Sequence, residues 1–209
     1  MPGKFEAKRE NMSRSGPRRR RKKLSKRQEF VRGLDSIYFV ALILTVYMLL
    51  FRVVVVVGPS MYNTLIDGDR LLLLSSLLYT EPKQGDIVVC SKDSFDNGTC
   101  FVKRVIATEG QEVYIDFVNS EVYVDGVLLE EDYTFSPTKR DEGMEFPLTV
   151  GEGQIFVMGD NRQSSTDSRS PLIGLVDERQ IVGKAIFIIS PGDNGGKELA
   201  QWDRTGWIG

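Results

Sequence analysis

The sequence predicts a mainly β protein, an antiparallel β-sheet domain preceded by one transmembrane helix. Three observations predict it. Beyond residue 52 the chain consists of short runs rich in Val, Ile, Tyr and Phe separated by Gly, Asn, Asp and Pro, the pattern of strands and tight turns. One long apolar stretch, residues 34–51, stands ahead of them. Charge divides around it: residues 1–33 carry 13 Lys/Arg against 3 Asp/Glu, and residues 34–209 carry 14 against 26.

Taken in order, residues 1–33 are basic and lack an apolar pattern, so they are expected to form a disordered tail. The apolar stretch would reach about 27 Å as a helix, close to the hydrocarbon thickness of a bilayer. It is assigned, with Arg52, as an anchor over residues 34–52. A buried core helix is the competing reading, but the basic run at residues 18–27 lies just upstream, and positive charge beside a span stays cytoplasmic. The same run is read as an orientation signal rather than a nucleic-acid site, so no nucleic-acid partner is expected. No small-x-small site follows before the valines, which argues against a removable leader. The expected topology is single-pass in the cell membrane, N-terminus cytoplasmic, with residues 53–190 forming an extracytoplasmic β domain.

Within that domain, strands are expected at the valine run 53–57, the leucine run 70–78 and residues 86–91, 100–106, 112–117, 121–124, 127–129, 154–158 and 181–190. Those from 70 to 129 read as a meander. Residues 130–150 lose periodicity and read as a polar insertion, and residues 191–209 as a Gly-rich tail whose Trp202 and Trp207 dock on the domain or at the membrane interface. Cys90 and Cys100 flank an Asn97-Gly98 turn signal. A disulfide staple and two free thiols are both open; catalysis by either is not expected.

The chain contains no histidine, which excludes a Ser-His-Asp triad, a sortase-like Cys-His pair and His-containing zinc sites. No metal and no cofactor is expected. A serine nucleophile here needs a lysine, a carboxylate or the N-terminal amine as base. Ser60 is the candidate, set by Gly58-Pro59 at the end of a β-branched run. Lys103 is the candidate base: alternation along Phe101-Val102-Lys103-Arg104-Val105-Ile106 sets it between Phe101 and Val105, where burial leaves an amine neutral. An edge charge that discourages aggregation is the plainer reading of that lysine. A third block, Gly159-Asp160-Asn161-Arg162 through Arg169, is dense in donors and acceptors, suited to a turn or to a buried network holding a site rigid.

With Gly58-x-Ser60-Met61-Tyr62-x-Thr64-Leu65, Gly85-Asp86-Ile87-Val88-Val89, the Lys103 block and the block from Gly159 to Gly174 in this order behind an anchor, the chain resembles the type I signal peptidases. The resemblance implies a signal-peptidase-type β domain that removes signal peptides from exported preproteins after a small-x-small site, with the lipid bilayer as its other partner. It implies Ser60 as nucleophile and Lys103 as general base. It further implies Met61 at the substrate cleft, Ser165 hydrogen-bonded to the lysine amine, and Asp160, Arg104, Asp167 and Arg169 fixing the site's geometry. Where some members carry a serine that assists the oxyanion hole this chain has Gly58, expected to support the hole through its backbone beside the Ser60 N–H, and where many carry proline it has Asn63. The rivals are a self-cleaving repressor-type Ser-Lys peptidase, which the anchor disfavours, and a tethered β-rich scaffold or binding protein without catalysis.

Overall fold

The structure, a computed structural model, describes residues 26–92, 98–197 and 199–208, with side chains from Leu34 onward. Residues 1–25 of the expected tail, and Asn97 of the expected turn, lie outside the described residues. The chain divides into two units, residues 1–42 and 43–209.

The boundary falls within helix α1 (Lys26–Leu50). The helix differs from expectation at both ends. It takes in residues assigned to the tail, where Lys, Arg, Gln and Glu are good helix formers. It stops at Leu50, so Phe51 and Arg52, assigned to the anchor, open a strand instead; the β-branched run that follows favours extended backbone. Its apolar side chains from Leu34 to Leu49 are exposed. Among the described residues no helix is long and apolar enough to cross a membrane.

Among the described residues the second unit contains twelve strands in two antiparallel sheets. They are β1 (Phe51–Val55), β2 (Arg70–Ser75), β3 (Ile87–Ser91), β4 (Cys100–Thr108), β5 (Glu112–Asp116), β6 (Glu121–Val124), β7 (Val127–Leu128), β8 (Leu148–Thr149), β9 (Gln154–Met158), β10 (Val176–Asp177), β11 (Ile181–Ser190) and β12 (Gly206–Trp207). The larger sheet runs β1-β2-β11-β3-β4-β9-β10 with β12 also on β11, and the smaller runs β7-β6-β5-β8. Of the expected meander, the pair β3-β4 and the run β5-β6-β7 remain as such: β11 inserts between β2 and β3, and β9 returns beside β4. Local alternation marks a strand but not its partner. The burial of Ile87, Val88, Val89 and Cys90 in succession is the sign that β3 is central.

Strand β4 carries apolar side chains into three cores. Phe101 and Val105 join Val88, Cys90, Ile155 and Val157 on one face. Val102 packs toward Leu71, Leu73 and Val89, and Ile106 and Ala107 pack under the small sheet with Val113, Val122 and Phe156. A lysine on this strand is therefore not on an edge.

The cysteines are free thiols. Cys90 stands opposite Phe101 and Cys100 opposite Ser91. That one-residue offset turns their side chains to opposite faces. Cys100 is exposed, whereas Cys90 is buried and its thiol is pushed up to about 12, chiefly by burial. One maleimide per native chain is expected to react rapidly, at Cys100, and a second only after unfolding; equal rates at both thiols would contradict this register.

The insertion at 130–150 is loop apart from β8. The segment after Ser190 is not a loose tail: β12 pairs with β11, and the Trp207 ring meets Phe187 edge-on at 5.3 Å. Both tryptophans stay exposed, Trp202 by 68% and Trp207 by 78%.

Candidate active site

Ser60 follows β1 on a turn that returns to β2. The turn is closed by backbone bonds from Val56 N–H to Asp69 O (2.9 Å) and Gly68 N–H to Val56 O (2.9 Å). Lys103 lies in mid-β4, opposite Val88 on the face shared with Phe101 and Val105. The two side chains meet: Lys103 Nζ is 3.0 Å from Ser60 Oγ and 3.1 Å from Val102 O. Both are hydrogen-bond distances, and the first is within reach for proton transfer between hydroxyl and amine.

Lys103 is only 4% exposed. Its amine is pulled down to about 8, first by burial, with Arg169 adding to the effect and Asp167, Cys90 and Glu142 opposing it. Because the Cys90 thiol stays protonated near pH 8, Asp167 and Glu142 are the negative charges that remain to oppose burial there. Near neutral pH a substantial fraction of such an amine is unprotonated, which an exposed lysine does not offer.

A groove of about 460 Å³ opens at the pair, lined by Val54 to Pro59, by Thr99 to Val102, and by Leu71, Val89 and Thr166 together with Ser60 and Lys103 themselves. Its walls are mostly aliphatic. One of them is β1, which ends the larger sheet.

Beneath the pair lies the block after β9. Asp160 is fully buried and takes both prongs of Arg104, at 2.9 and 2.7 Å, with a third bond from Thr64 Oγ1 at 2.5 Å. Arg104 also donates to Gly85 O at 2.9 Å and stacks over the Tyr133 ring at 3.9 Å. Asp167 and Arg169 form a second buried pair, at 2.8 and 2.9 Å, and Asp167 also accepts the Gly159 N–H at 2.9 Å. These bonds and the guanidinium outweigh burial and hold the Asp167 carboxyl below the usual carboxylate range. A third pair, Arg162 with Glu131, is braced by Thr138 at 2.6 Å.

The structure thus brings Ser60, Lys103, Asp160, Arg104, Asp167 and Arg169 into one region, and differs from expectation at three other positions. The Ser165 hydroxyl is buried without a hydrogen-bond partner among the described residues, so the expected bond to the Lys103 amine is not made. Met61, expected at the cleft, is wholly buried among Leu65, Leu71 and Ile87 and is not among the groove residues. Gly58 lines the groove, but its N–H donates to Asp67 Oδ1 at 2.7 Å and is not offered to a substrate.

Residues that sequence reasoning left without a role complete the region. Asn161 fastens the Ser60 turn from the other side, its N–H to Ser60 O at 3.0 Å and its Nδ2 to Pro59 O at 3.1 Å. Gly159 sits where a Cβ would overlap the Ser60 carbonyl and the Ser165 side chain, so this close approach of backbones needs glycine. Both belong to the block singled out from sequence, where their role was legible only as donor density. Glu131, Tyr133, Thr138 and Glu142 come from the insertion and had no sequence signal. Among the described residues no cluster of acidic or thiol side chains is arranged to hold a metal ion.

Comparison with known proteins gives the same direction. Residues 28–190 match the model of the family described as signal peptidase, peptidase S26. Signal peptidase I of Bacillus amyloliquefaciens is 39% identical over 167 residues, 76% of this chain and 84% of that protein. Signal peptidase I of Bacillus licheniformis is 36% identical over 171 residues, 78% and 88% of the two chains. Signal peptidase I T of Bacillus subtilis (strain 168) is 36% identical over 167 residues, 76% and 84%. A buried lysine in contact with a half-buried serine on an aliphatic groove, in a histidine-free β fold matched along most of its length by these relatives, leads to one assignment: the chain belongs to the type I signal peptidases of the S26 family.

Proposed function

We propose that this signal peptidase cleaves preproteins by a Ser-Lys dyad, with Ser60 as nucleophile and Lys103 as general base. The observation that carries the reading is the 3.0 Å approach of a buried lysine amine, pulled down to about 8, to a serine hydroxyl in an aliphatic groove. One N–H of the neutral amine bonds to Val102 O, which leaves the lone pair available to the Ser60 proton. Ser60 Oγ then attacks the scissile carbonyl and the proton passes to Lys103. The tetrahedral oxyanion meets the Ser60 backbone N–H; the Gly58 N–H is committed to Asp67 and does not serve. Collapse breaks the C–N bond as the ammonium protonates the leaving amine, the new N-terminus of the mature protein. Water, deprotonated by the same amine, releases the acyl group.

Substrate residues before the cut are small and apolar in this reading, a preference the aliphatic lining of the groove supports. Asp160 with Arg104 and Asp167 with Arg169 act as supports rather than reactants. The apolar run 34–51 behind the basic run 18–27 of the sequence supports a membrane anchor with the basic N-terminus on the cytoplasmic side and the β domain on the other. Anchoring the groove near the bilayer raises the local concentration of membrane-held signal peptides.

The test is cleavage of a preprotein bearing an Ala-x-Ala site by the purified chain in detergent, with mass spectrometry of both products. The wild type is expected to cut after the second alanine. Ser60→Ala is expected to reduce turnover by about 10³-fold or more while the fold is retained. Substantial turnover by Ser60→Ala would remove the nucleophile assignment, and no cleavage by the wild type would favour the tethered binding protein.

A further inference from the structure

The turn that carries Ser60 is held from a second direction, by the chain's last described residues, which lie beyond the 28–190 segment matched by the family. Asp69, at the end of that turn, is fully buried, and each of its carboxylate oxygens is used twice. Oδ1 accepts the Gly192 N–H at 2.7 Å and Arg204 Nη1 at 3.0 Å. Oδ2 accepts the Ile66 N–H at 2.8 Å and Arg204 Nη2 at 2.9 Å. The same Arg204 Nη2 donates to Thr64 O at 2.9 Å, and the Thr64 hydroxyl in turn bonds to Asp160. One guanidinium thus bridges the two ends of the residues 64–69 return, on the path between the nucleophile and the Asp160 support.

The arginine is fixed by its own surroundings. It closes a short 3-10 turn, Trp202–Arg204, followed at once by β12, and the Ile208 N–H adds a bond to Ile186 O at 3.0 Å. On the other flank the Asn194 N–H bonds to Asp67 O at 3.1 Å, and Gly192 lies so close to the turn that a Cβ there would overlap Asp67 O and the Gly68 backbone. A single ion pair on an exposed surface would matter little. This one is bidentate, with the carboxylate wholly buried and the arginine side chain 15% exposed.

We propose that Arg204 is a positioning residue for Ser60: the segment after β11 is a strap that locks the nucleophile turn through Asp69 and the Thr64 carbonyl. The assignment rests on Ser60 being the nucleophile. Without the guanidinium, Asp69 is left as a buried uncompensated charge, the turn relaxes, and Ser60 Oγ leaves the Lys103 amine for part of the time. Displacements of that kind lower the rate of the chemical step more than substrate affinity.

The experiment uses the full chain in detergent. Arg204→Ala is expected to lower kcat by about ten-fold or more with KM changed less than about two-fold, at a temperature where circular dichroism shows the variant folded. Arg204→Lys is expected to recover part of the loss, because an ammonium can pair with Asp69 but cannot also span to Thr64. It also serves as the working variant if the alanine form does not fold. Amide hydrogen exchange is expected to quicken at residues 56–69 and not in β9. Unchanged exchange at 56–69 would overturn the strap whatever the nucleophile. Faster exchange with unchanged kcat would overturn the positioning role. Persisting activity in Ser60→Ala would instead remove the catalytic reading and leave the exchange result standing.

Discussion

Lys103→Met is expected to inactivate the enzyme and to stabilise it below pH 8. The catalytic half follows from losing a positioned base, worth about 10²–10⁴-fold. The stability half follows from linkage. Folding lowers the amine from 10.5 to about 8, so the folded state disfavours the proton that the unfolded chain holds readily. Below pH 8 both states carry it, and the folded state bears the full cost of a buried ammonium, about 3 kcal/mol. As pH rises from 8 toward 10.5 the folded state sheds its proton first and the cost fades. Methionine, apolar and similar in reach, has no such cost. Its stabilisation is expected to be greatest at pH 6–7 and absent above about pH 10.5, read by chemical denaturation across that range. For the wild type, kcat/KM is expected to rise through pH 8 as the free amine forms. A pH-independent rate, or a methionine variant no more stable at pH 6 than at pH 10, would show that residue 103 is not a buried amine kept short of its proton.

The second large effect lies at Asp160, the partner of Arg104, which is one residue along the same strand from Lys103. Asp160→Ala is expected to destabilise the domain by about 3–5 kcal/mol, because it strands the Arg104 guanidinium, itself buried, without its counter-charge. For a chain of this size that corresponds to a fall in Tm on the order of 10 °C. Asp160→Asn keeps acceptor and shape but not charge, and is expected to lose less. The double variant Arg104→Met/Asp160→Leu is expected to recover stability without recovering full activity, since an apolar pair fills the space but no longer receives the Thr64 hydroxyl at the end of the nucleophile turn. A loss of under about 1 kcal/mol in Asp160→Ala would mean that water reaches the pair and that its burial is overstated.

The three arginine–carboxylate pairs under the site differ in origin, and the difference explains what was readable beforehand. Asp160, Arg162, Asp167 and Arg169 come from one contiguous block, and Arg104 is beside Lys103, so a reader of the chain meets them as dense polar stretches. Their partners Glu131, Tyr133 and Glu142 arrive from a stretch without periodicity. A loop pinned by side-chain bonds to a distant strand leaves no local pattern, because neither a helical nor a strand period governs its contacts. The same holds for Arg204 and Asp69, 135 residues apart in the chain. Met61 shows the opposite error. The family resemblance implied a place in the cleft, but the turn sends consecutive side chains to opposite sides, Ser60 to the groove and Met61 into the core.

The linear chain by itself determined the β class, most strand positions, the absence of imidazole chemistry, and the two residues whose side chains meet at 3.0 Å. Each of these depends on composition or on a period of two along a short run, which neighbouring residues suffice to express. Tertiary structure alone decided that β11 lies between β2 and β3, that the cysteines face apart, that the Ser165 hydroxyl is buried without a bond to the amine, and that the last residues brace the first turn. It also decided that a lysine in mid-strand is deprived of water on every side, because desolvation is a sum over atoms contributed by segments far apart in the chain.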